Sequence, residues 1–166
     1  MSDILIFLGS KSDLSITESG LAALKELGVS FDLKICSAHR TPKELEKYIF
    51  EFEEKNGKAY ICVAGKSAHL AGVVAAQTLK PVIAVPVYGD ATAGLDALLS
   101  MGQMPGGIPV ATMTLGNSGF LNGCLFAAQV LSLQNSKLAV ALKNHRLAQA
   151  NQVIEDNKKH GISYAP

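Results

Sequence analysis

The chain concentrates its chemistry in Ser37-Ala38-His39-Arg40-Thr41-Pro42, directly after the apolar run 31–36. Arg40 offers a planar, two-pronged donor set for a phosphate or carboxylate. His39 can give and take a proton near neutral pH. Two further turns share this character. In Gly9-Ser10-Lys11-Ser12-Asp13, backbone amides at a helix start attract phosphate, and the Ser10 and Ser12 hydroxyls add donors. Asp13 is an acceptor suited to ribose hydroxyls; the plainer alternative is that Ser12 or Asp13 only caps the helix. In Gly65-Lys66-Ser67-Ala68-His69-Leu70-Ala71-Gly72, small residues let a ligand approach the backbone closely. His69 is either a ligand contact or a helix-start histidine that packs. Three such loops describe a site for an anionic small molecule beside a group that moves protons.

The elements around these loops explain how they can meet. A continuous apolar run at 4–8, and stretches at 29–36, 59–64, 82–87 and 109–115, predict five strands. Helical spacing predicts helices at 14–27, 42–56, 68–79, 117–133 and 136–159. Gly28 stops the first; Thr41 is the predicted N-cap of the second, with Pro42 in its first turn and Glu44 three residues after the cap. Strands alternating with helices predict an α/β domain with a central, mostly parallel sheet and right-handed crossovers. Ligands of such sheets bind beyond the carboxyl ends of the strands, and the three polar loops follow strands one, two and three. Ser10, Asp13, Ser37, His39, Arg40 and His69 therefore belong to one rim. The long last helix lies outside the repeating unit and is expected to pack on a neighbouring subunit.

The 166 residues suit one domain, 1–166, around a single core. Charged residues make up 17% and hydrophobic ones 48%, against about 25% charged in ordinary globular domains. A monomer so poor in charge would expose too much apolar surface, which predicts a homo-oligomer. The net charge of +1 and the absence of a basic run argue against a nucleic-acid partner. No apolar run is long enough for a membrane span, and no signal peptide is expected. Cys36, Cys62 and Cys124 form no CxxC pair, as expected of reduced, buried thiols in a cytoplasmic protein.

Other motifs bound the chemistry. The first loop is neither GxGxxG nor a Walker loop, so a dinucleotide or nucleoside triphosphate is not expected. A His39–His69 metal pair lacks a third ligand at the usual spacing, and no metal is expected. Gly102-Gln103-Met104-Pro105-Gly106-Gly107-Ile108-Pro109-Val110 is a stiff Gly/Pro loop: a tight connection into strand five, a lid or a subunit contact. His145 and His160 lie among charged neighbours and are expected to be solvated.

These pieces, in this order and spacing, resemble the PurE family of purine biosynthesis, in its class I branch. The resemblance rests on the three loops, on Pro81 to Val87, and on Gln103 to Val110, and it runs from residue 3 to about 155. It implies a three-layer, flavodoxin-like domain assembled as an octamer. It implies an isomerase that moves a carboxylate within an aminoimidazole ribonucleotide, from the exocyclic nitrogen to C4, with no metal, ATP or organic cofactor. By that resemblance Ser10, Ser12 and Arg40 hold the 5′-phosphate and Asp13 the ribose hydroxyls. His39 is the general acid/base. Gly65, Ser67, Ala68 and His69 line the pocket that retains carbon dioxide, with Ser37 and Leu70 also contacting substrate.

One loop departs from the class I pattern, which reads Gly-Gly-Ala-Ala-His-Leu-Pro-Gly where this chain has Gly65-Lys66-Ser67-Ala68-His69-Leu70-Ala71-Gly72. A basic residue followed by Ser resembles class II, whose members carboxylate aminoimidazole ribonucleotide with carbon dioxide directly. Arg40 and His69 match class I. Lys66 either contacts the carboxylate or points to solvent. More distant alternatives are a flavodoxin-like nucleotide-binding or phospho-receiver module and a hydride-transfer enzyme. The receiver needs clustered acids that the first three loops lack apart from Asp13; the hydride-transfer enzyme needs the missing glycine fingerprint.

Overall fold

The computed structural model describes residues 2–165. The five apolar runs form strands β1 (Ile4–Leu8), β2 (Phe31–Ile35), β3 (Ala59–Ala64), β4 (Val82–Pro86) and β5 (Ala111–Thr112). All pair in parallel, in the order β2-β1-β3-β4-β5. Every residue of β1, β3 and β4 is buried, which is why their sequences are apolar without alternation. β2 is an edge strand and tolerates Asp32 and Lys34.

The pleat sends alternate residues to two cores. Leu5, Phe7, Tyr60, Cys62, Val82 and Ala84 pack with α2 (Pro42–Glu54), α3 (Leu70–Ala75) and α4 (Leu95–Gly102). Ile4, Ile6, Leu8, Ile61, Val63, Ile83 and Val85 pack with α1 (Glu18–Glu26) and α5 (Gly116–Ser132). The result is a three-layer α/β, flavodoxin-like architecture, with the parallel sheet expected from the strand–helix alternation and the flavodoxin-like layering expected from the resemblance. The α1–α5 contact is close because Gly20 faces the fully buried Phe120. A Cβ on Gly20 would lie 2.5 Å from that ring and 2.8 Å from Cys124 Sγ.

Several boundaries differ from expectation, each for a local reason. The predicted helix 14–27 is a 3-10 helix at Lys11–Ile16 followed by α1; between them the Thr17 hydroxyl donates to the Leu14 carbonyl at 2.8 Å. The predicted helix 68–79 shortens to α3. Strand five shrinks from 109–115 to two residues, since Pro109 has no N–H to give the ladder. The helix α4 was not anticipated. Thr41 does stand at the N-cap of α2, but its hydroxyl makes no capping bond; it donates to the Ser37 carbonyl at 3.1 Å.

The last helix, α6 (Ser136–His160), is anchored at its root by Leu138, its only buried residue. Val140, Leu147, Val153 and Ile154 are exposed along it. His160 is exposed in the last turn, where it complements the helix dipole. His145 is not solvated as expected. Its side chain is 17% exposed and its Nδ1 lies 3.8 Å from Glu26 Oε2, while Nε2 is buried with no partner among the described residues. Among the described residues no helix is long and apolar enough to cross a membrane.

Candidate active site

The sheet order creates the site. The chain leaves β1 toward α1 on one face and leaves β3 toward α3 on the other, and β1 and β3 are neighbours. Divergent connections from adjacent parallel strands open a crevice at their carboxyl ends. There a cleft of about 860 Å³ is lined by residues of the three polar loops.

The first loop is held by its own hydrogen bonds. Gly9 N–H donates to the Val63 carbonyl at 2.9 Å, pinning the exit of β1 to β3. Ser10 is extended and caps the 3-10 helix: its Oγ accepts from Ser12 N–H, and its own N–H donates to Asp13 Oδ2 at 2.9 Å. The cap is thus Ser10, rather than Ser12 or Asp13. The Ser12 hydroxyl lies 3.0 Å from Ser10 Oγ and 3.3 Å from Asp13 Oδ1. Asp13 is only 6% exposed. Burial raises its carboxyl above the usual range, against the lowering effect of the bonds from Ser10 and Ser12.

The second loop is a tight turn closed by Thr41. Thr41 Oγ1 accepts from Ser37 N–H at 3.0 Å, and Ser37 Oγ accepts from Arg40 N–H at 3.3 Å. The turn sits on buried Cys36 and leaves His39 and Arg40 exposed at the rim. Arg40 Nη2 donates to the Gly9 carbonyl at 3.4 Å, joining the second loop to the first.

The third loop brings up the second imidazole. His39 Nε2 and His69 Nδ1 are 2.9 Å apart, with ring centroids 5.0 Å apart and planes at 78°. Such a contact holds one proton: one ring donates and the other accepts. The pair is therefore a ready proton donor and acceptor at one position. Lys66 adopts a left-handed conformation, φ 57°, and is exposed on the cleft wall. The carboxyl of Asp96, in the first turn of α4, is held below its usual range by the Thr92 hydroxyl, by the Ala97 N–H and by the Lys66 charge.

The cleft thus brings together Ser10, Ser12, Asp13, Ser37, His39, Arg40, Gly65, Lys66, Ser67, His69 and Leu70. Ala68 is not among its lining residues; it is 1% exposed and packs in the core beneath α3. Val87, Tyr88 and Gly89, after β4, also line the cleft and were not anticipated. The rule that points to the carboxyl ends of strands one to three applies equally to strand four. Among the described residues no group of three or more His, Cys, Asp or Glu is placed to hold a metal. A second cavity, about 700 Å³, lies at the opposite rim by Asp3, Lys58 and Pro81, and no imidazole lines it.

Chemically, the cleft offers the Ser10 and Ser12 hydroxyls and the Arg40 guanidinium, groups able to meet an anion, and an imidazole pair that can trade one proton. The chain matches the family model described as AIR carboxylase over residues 3–152. It is 44% identical over 153 residues to the N5-carboxyaminoimidazole ribonucleotide mutase of Brucella melitensis, covering 92% of this chain and 94% of that protein. It is 45% identical over 158 residues to the enzyme of the same name from Methanocaldococcus jannaschii, covering 94% of this chain and 96% of that one. The crystal structure of PurE from Treponema denticola superposes with a TM-score of 0.86 at 32% identity, over 96% of this chain and 98% of that one.

Proposed function

The chain belongs to the AIR carboxylase, or PurE, family, and from that premise we propose that it is an isomerase converting N5-carboxyaminoimidazole ribonucleotide to 4-carboxy-5-aminoimidazole ribonucleotide. The observation that carries this reading is the 2.9 Å contact between His39 and His69 beside the Arg40 anion subsite.

The balance of the reaction needs one proton moved and no redox partner. His39 gives its proton to the carbamate nitrogen. The N–C bond breaks, its electron pair stays on nitrogen, and carbon dioxide is released. The amino group feeds electrons into the ring, and C4 attacks the retained carbon dioxide to form the C–C bond. The C4 proton then passes to His39, which is restored. His69 acts as its partner, accepting or donating in the shared hydrogen bond. Because the same imidazole supplies the first proton and takes the last, no bulk proton source is required. Retention of carbon dioxide depends on keeping water out and the ring close, which suits a wall of Gly65, Ser67 and Leu70.

The 5′-phosphate is held by Ser10, Ser12 and Arg40, the last through a charge-assisted bond. Asp13 spends acceptor sites on Ser10 N–H and Ser12 Oγ. A carboxylate has about four such sites, which leaves room for the ribose hydroxyls. Ser37 closes the second loop beneath the substrate. The protein works in the cytoplasm as a homo-oligomer, an octamer as in the family it resembles. The exposed Val140, Leu147, Val153 and Ile154 support the packing of α6 on a neighbouring subunit.

A second reading is favoured by one observation: Lys66 brings an ammonium to the cleft. A cation there suits capture of free carbon dioxide, the class II carboxylation of aminoimidazole ribonucleotide. A carboxyl-source assay separates the two. Purified protein receives either N5-carboxyaminoimidazole ribonucleotide or aminoimidazole ribonucleotide with modest bicarbonate, and C4-carboxylated product is followed. Fast turnover of the carbamate alone is the expected result. Turnover of the second mixture at low bicarbonate makes the protein a carboxylase, and silence in both refutes the enzymatic reading.

A further inference from the structure

We infer that Tyr88 is the residue that recognises the aminoimidazole ring, stacking on it and setting the preference for a ring-bearing ribonucleotide over a bare sugar phosphate. The inference rests on the proposed substrate class but concerns a residue outside the three polar loops.

Tyr88 lies two residues beyond β4 and lines the cleft, yet 67% of it is exposed. Its hydroxyl has no hydrogen-bond partner among the described residues. Neither core packing nor a buried hydrogen bond accounts for an aromatic side chain there. Apart from the two imidazoles, it is the only aromatic ring among the described residues lining the cleft.

The fold also makes room for it from two sides. Gly94 (φ 87°) stands at the N-cap of α4, and a Cβ there would meet the Leu115 side chain first and would also lie 3.1 Å from the Val87 carbonyl and 3.2 Å from Tyr88 Cα. Gly116 (φ 66°) opens α5, and a Cβ there would lie 2.9 and 3.2 Å from Tyr88 ring carbons Cε2 and Cδ2. Both glycines have a left-handed backbone, which disfavours side chains there. One holds the backbone of residue 88 and the other seats an edge of its ring. The remainder of the ring is left open beside a cleft that already has an anion subsite at Arg40 and a proton-transfer pair at His39 and His69. What those groups do not supply is a flat apolar surface for a planar heterocycle.

The heterocycle is present in substrate and product alike, so a stack on it is uniform binding: its loss raises KM and leaves kcat nearly unchanged. Base–aromatic stacking predicts a loss of roughly fivefold to 150-fold in affinity on removing the ring. The test uses calorimetric titration of 5-aminoimidazole ribonucleotide and of ribose 5-phosphate into wild-type protein, Tyr88→Phe and Tyr88→Leu. Tyr88→Leu should lose at least about fivefold for the ring-bearing ligand and keep its affinity for ribose 5-phosphate, while Tyr88→Phe matches wild type for both. In turnover, Tyr88→Leu should raise KM at constant kcat. Equal affinity of Tyr88→Leu and wild type for the ring-bearing ligand overturns the inference. So does an equal loss on both ligands, which is the signature of a merely structural residue. Failure of wild-type protein to bind either ligand instead overturns the proposed substrate class, and this inference with it.

Discussion

Replacing the two histidines separately should divide their roles. Both rings are exposed, so neither substitution carries a core-packing penalty, and thermal melts should stay close to wild type. A positioned general acid/base supplies about 10²- to 10⁴-fold, or about 2.7–5.4 kcal/mol of barrier. His39→Asn should therefore lower kcat for carbamate isomerisation by at least ~100-fold. His69 contributes through its 2.9 Å contact with His39 Nε2. A neutral hydrogen bond nets about 0.5–1.5 kcal/mol, and one to a charged group about 1.5–3. His69→Ala should cost ~2- to 13-fold if the contact only orients a neutral ring, and ~13- to 160-fold if the ring it supports is charged in the rate-limiting step. His69→Asn places an amide nitrogen or oxygen near the position of Nδ1 and should recover part of the loss. The assay is steady-state isomerisation with the carbamate freshly prepared. Two results refute the reasoning: His39→Asn retaining more than a tenth of wild-type kcat, or His69→Ala falling as far as His39→Asn without rescue by asparagine. The second would make His69 the group that moves the proton.

Three further outcomes follow from the geometry. Arg40→Ala removes a charge-assisted phosphate contact worth about 1.5–3 kcal/mol, so KM should rise ~13- to 160-fold for the phosphorylated substrate; because Arg40 also holds the Gly9 carbonyl, kcat should fall too, and only that second part of the loss should persist for a substrate lacking the phosphate. Gly20→Ala gains helix propensity of about 1 kcal/mol but drives a methyl to 2.5 Å from the buried Phe120 ring; overpacking at about 1–3 kcal/mol should win, and chemical denaturation should show net destabilisation that Phe120→Leu reduces in the double variant. Burial pushes the Cys124 thiol from 9.0 up to about 12, and burial raises Cys62 as well. An acid with a raised native value binds its proton more tightly when folded, so its stabilisation is complete below 9.0 and is lost between about 9 and 12. Stability should fall by ~1.4 kcal/mol per pH unit per thiol across that window, and Cys124→Ser should flatten the slope.

The sequence made most of the fold legible because β1, β3 and β4 are buried on both faces, and such strands read as unbroken apolar runs. What it hid has physical causes. The helix α4 has eight residues and starts at a left-handed glycine, with no side-chain cap to announce it. Strand five shares its stretch with Pro109, so apolar character outran pairing. The loops of the site were visible as clusters of Ser, His, Arg and Gly after strands. Their distances were not, because a gap of 2.9 Å between residues 39 and 69 is set by sheet order rather than by spacing along the chain. His145 was misjudged for the same reason: its neighbours in sequence are polar, but its contact with Glu26 is tertiary.

Sheet order also couples the two halves of the site. His39 follows β2 and His69 follows β3, and β1 runs between those strands. The two loops therefore start roughly 10 Å apart, twice the spacing of paired strands. Their imidazoles can meet only if the loop leaving β1 turns aside. Gly9 lies at that turn: a Cβ there would lie 3.4 Å from both Ala64 Cβ and the Val63 carbonyl, so the loop runs in van der Waals contact with β3. The Gly9 carbonyl is in turn held by Arg40, the residue next to His39. The guanidinium thus ties the first loop to the loop that carries His39, and in the proposed reading it also meets the substrate phosphate. A phosphate seated on Ser10, Ser12 and Arg40 would tighten that arrangement and not merely anchor the substrate. On this account remote binding energy at the phosphate is spent holding His39 and His69 at hydrogen-bond distance, and a substrate stripped of its phosphate should lose kcat as well as affinity.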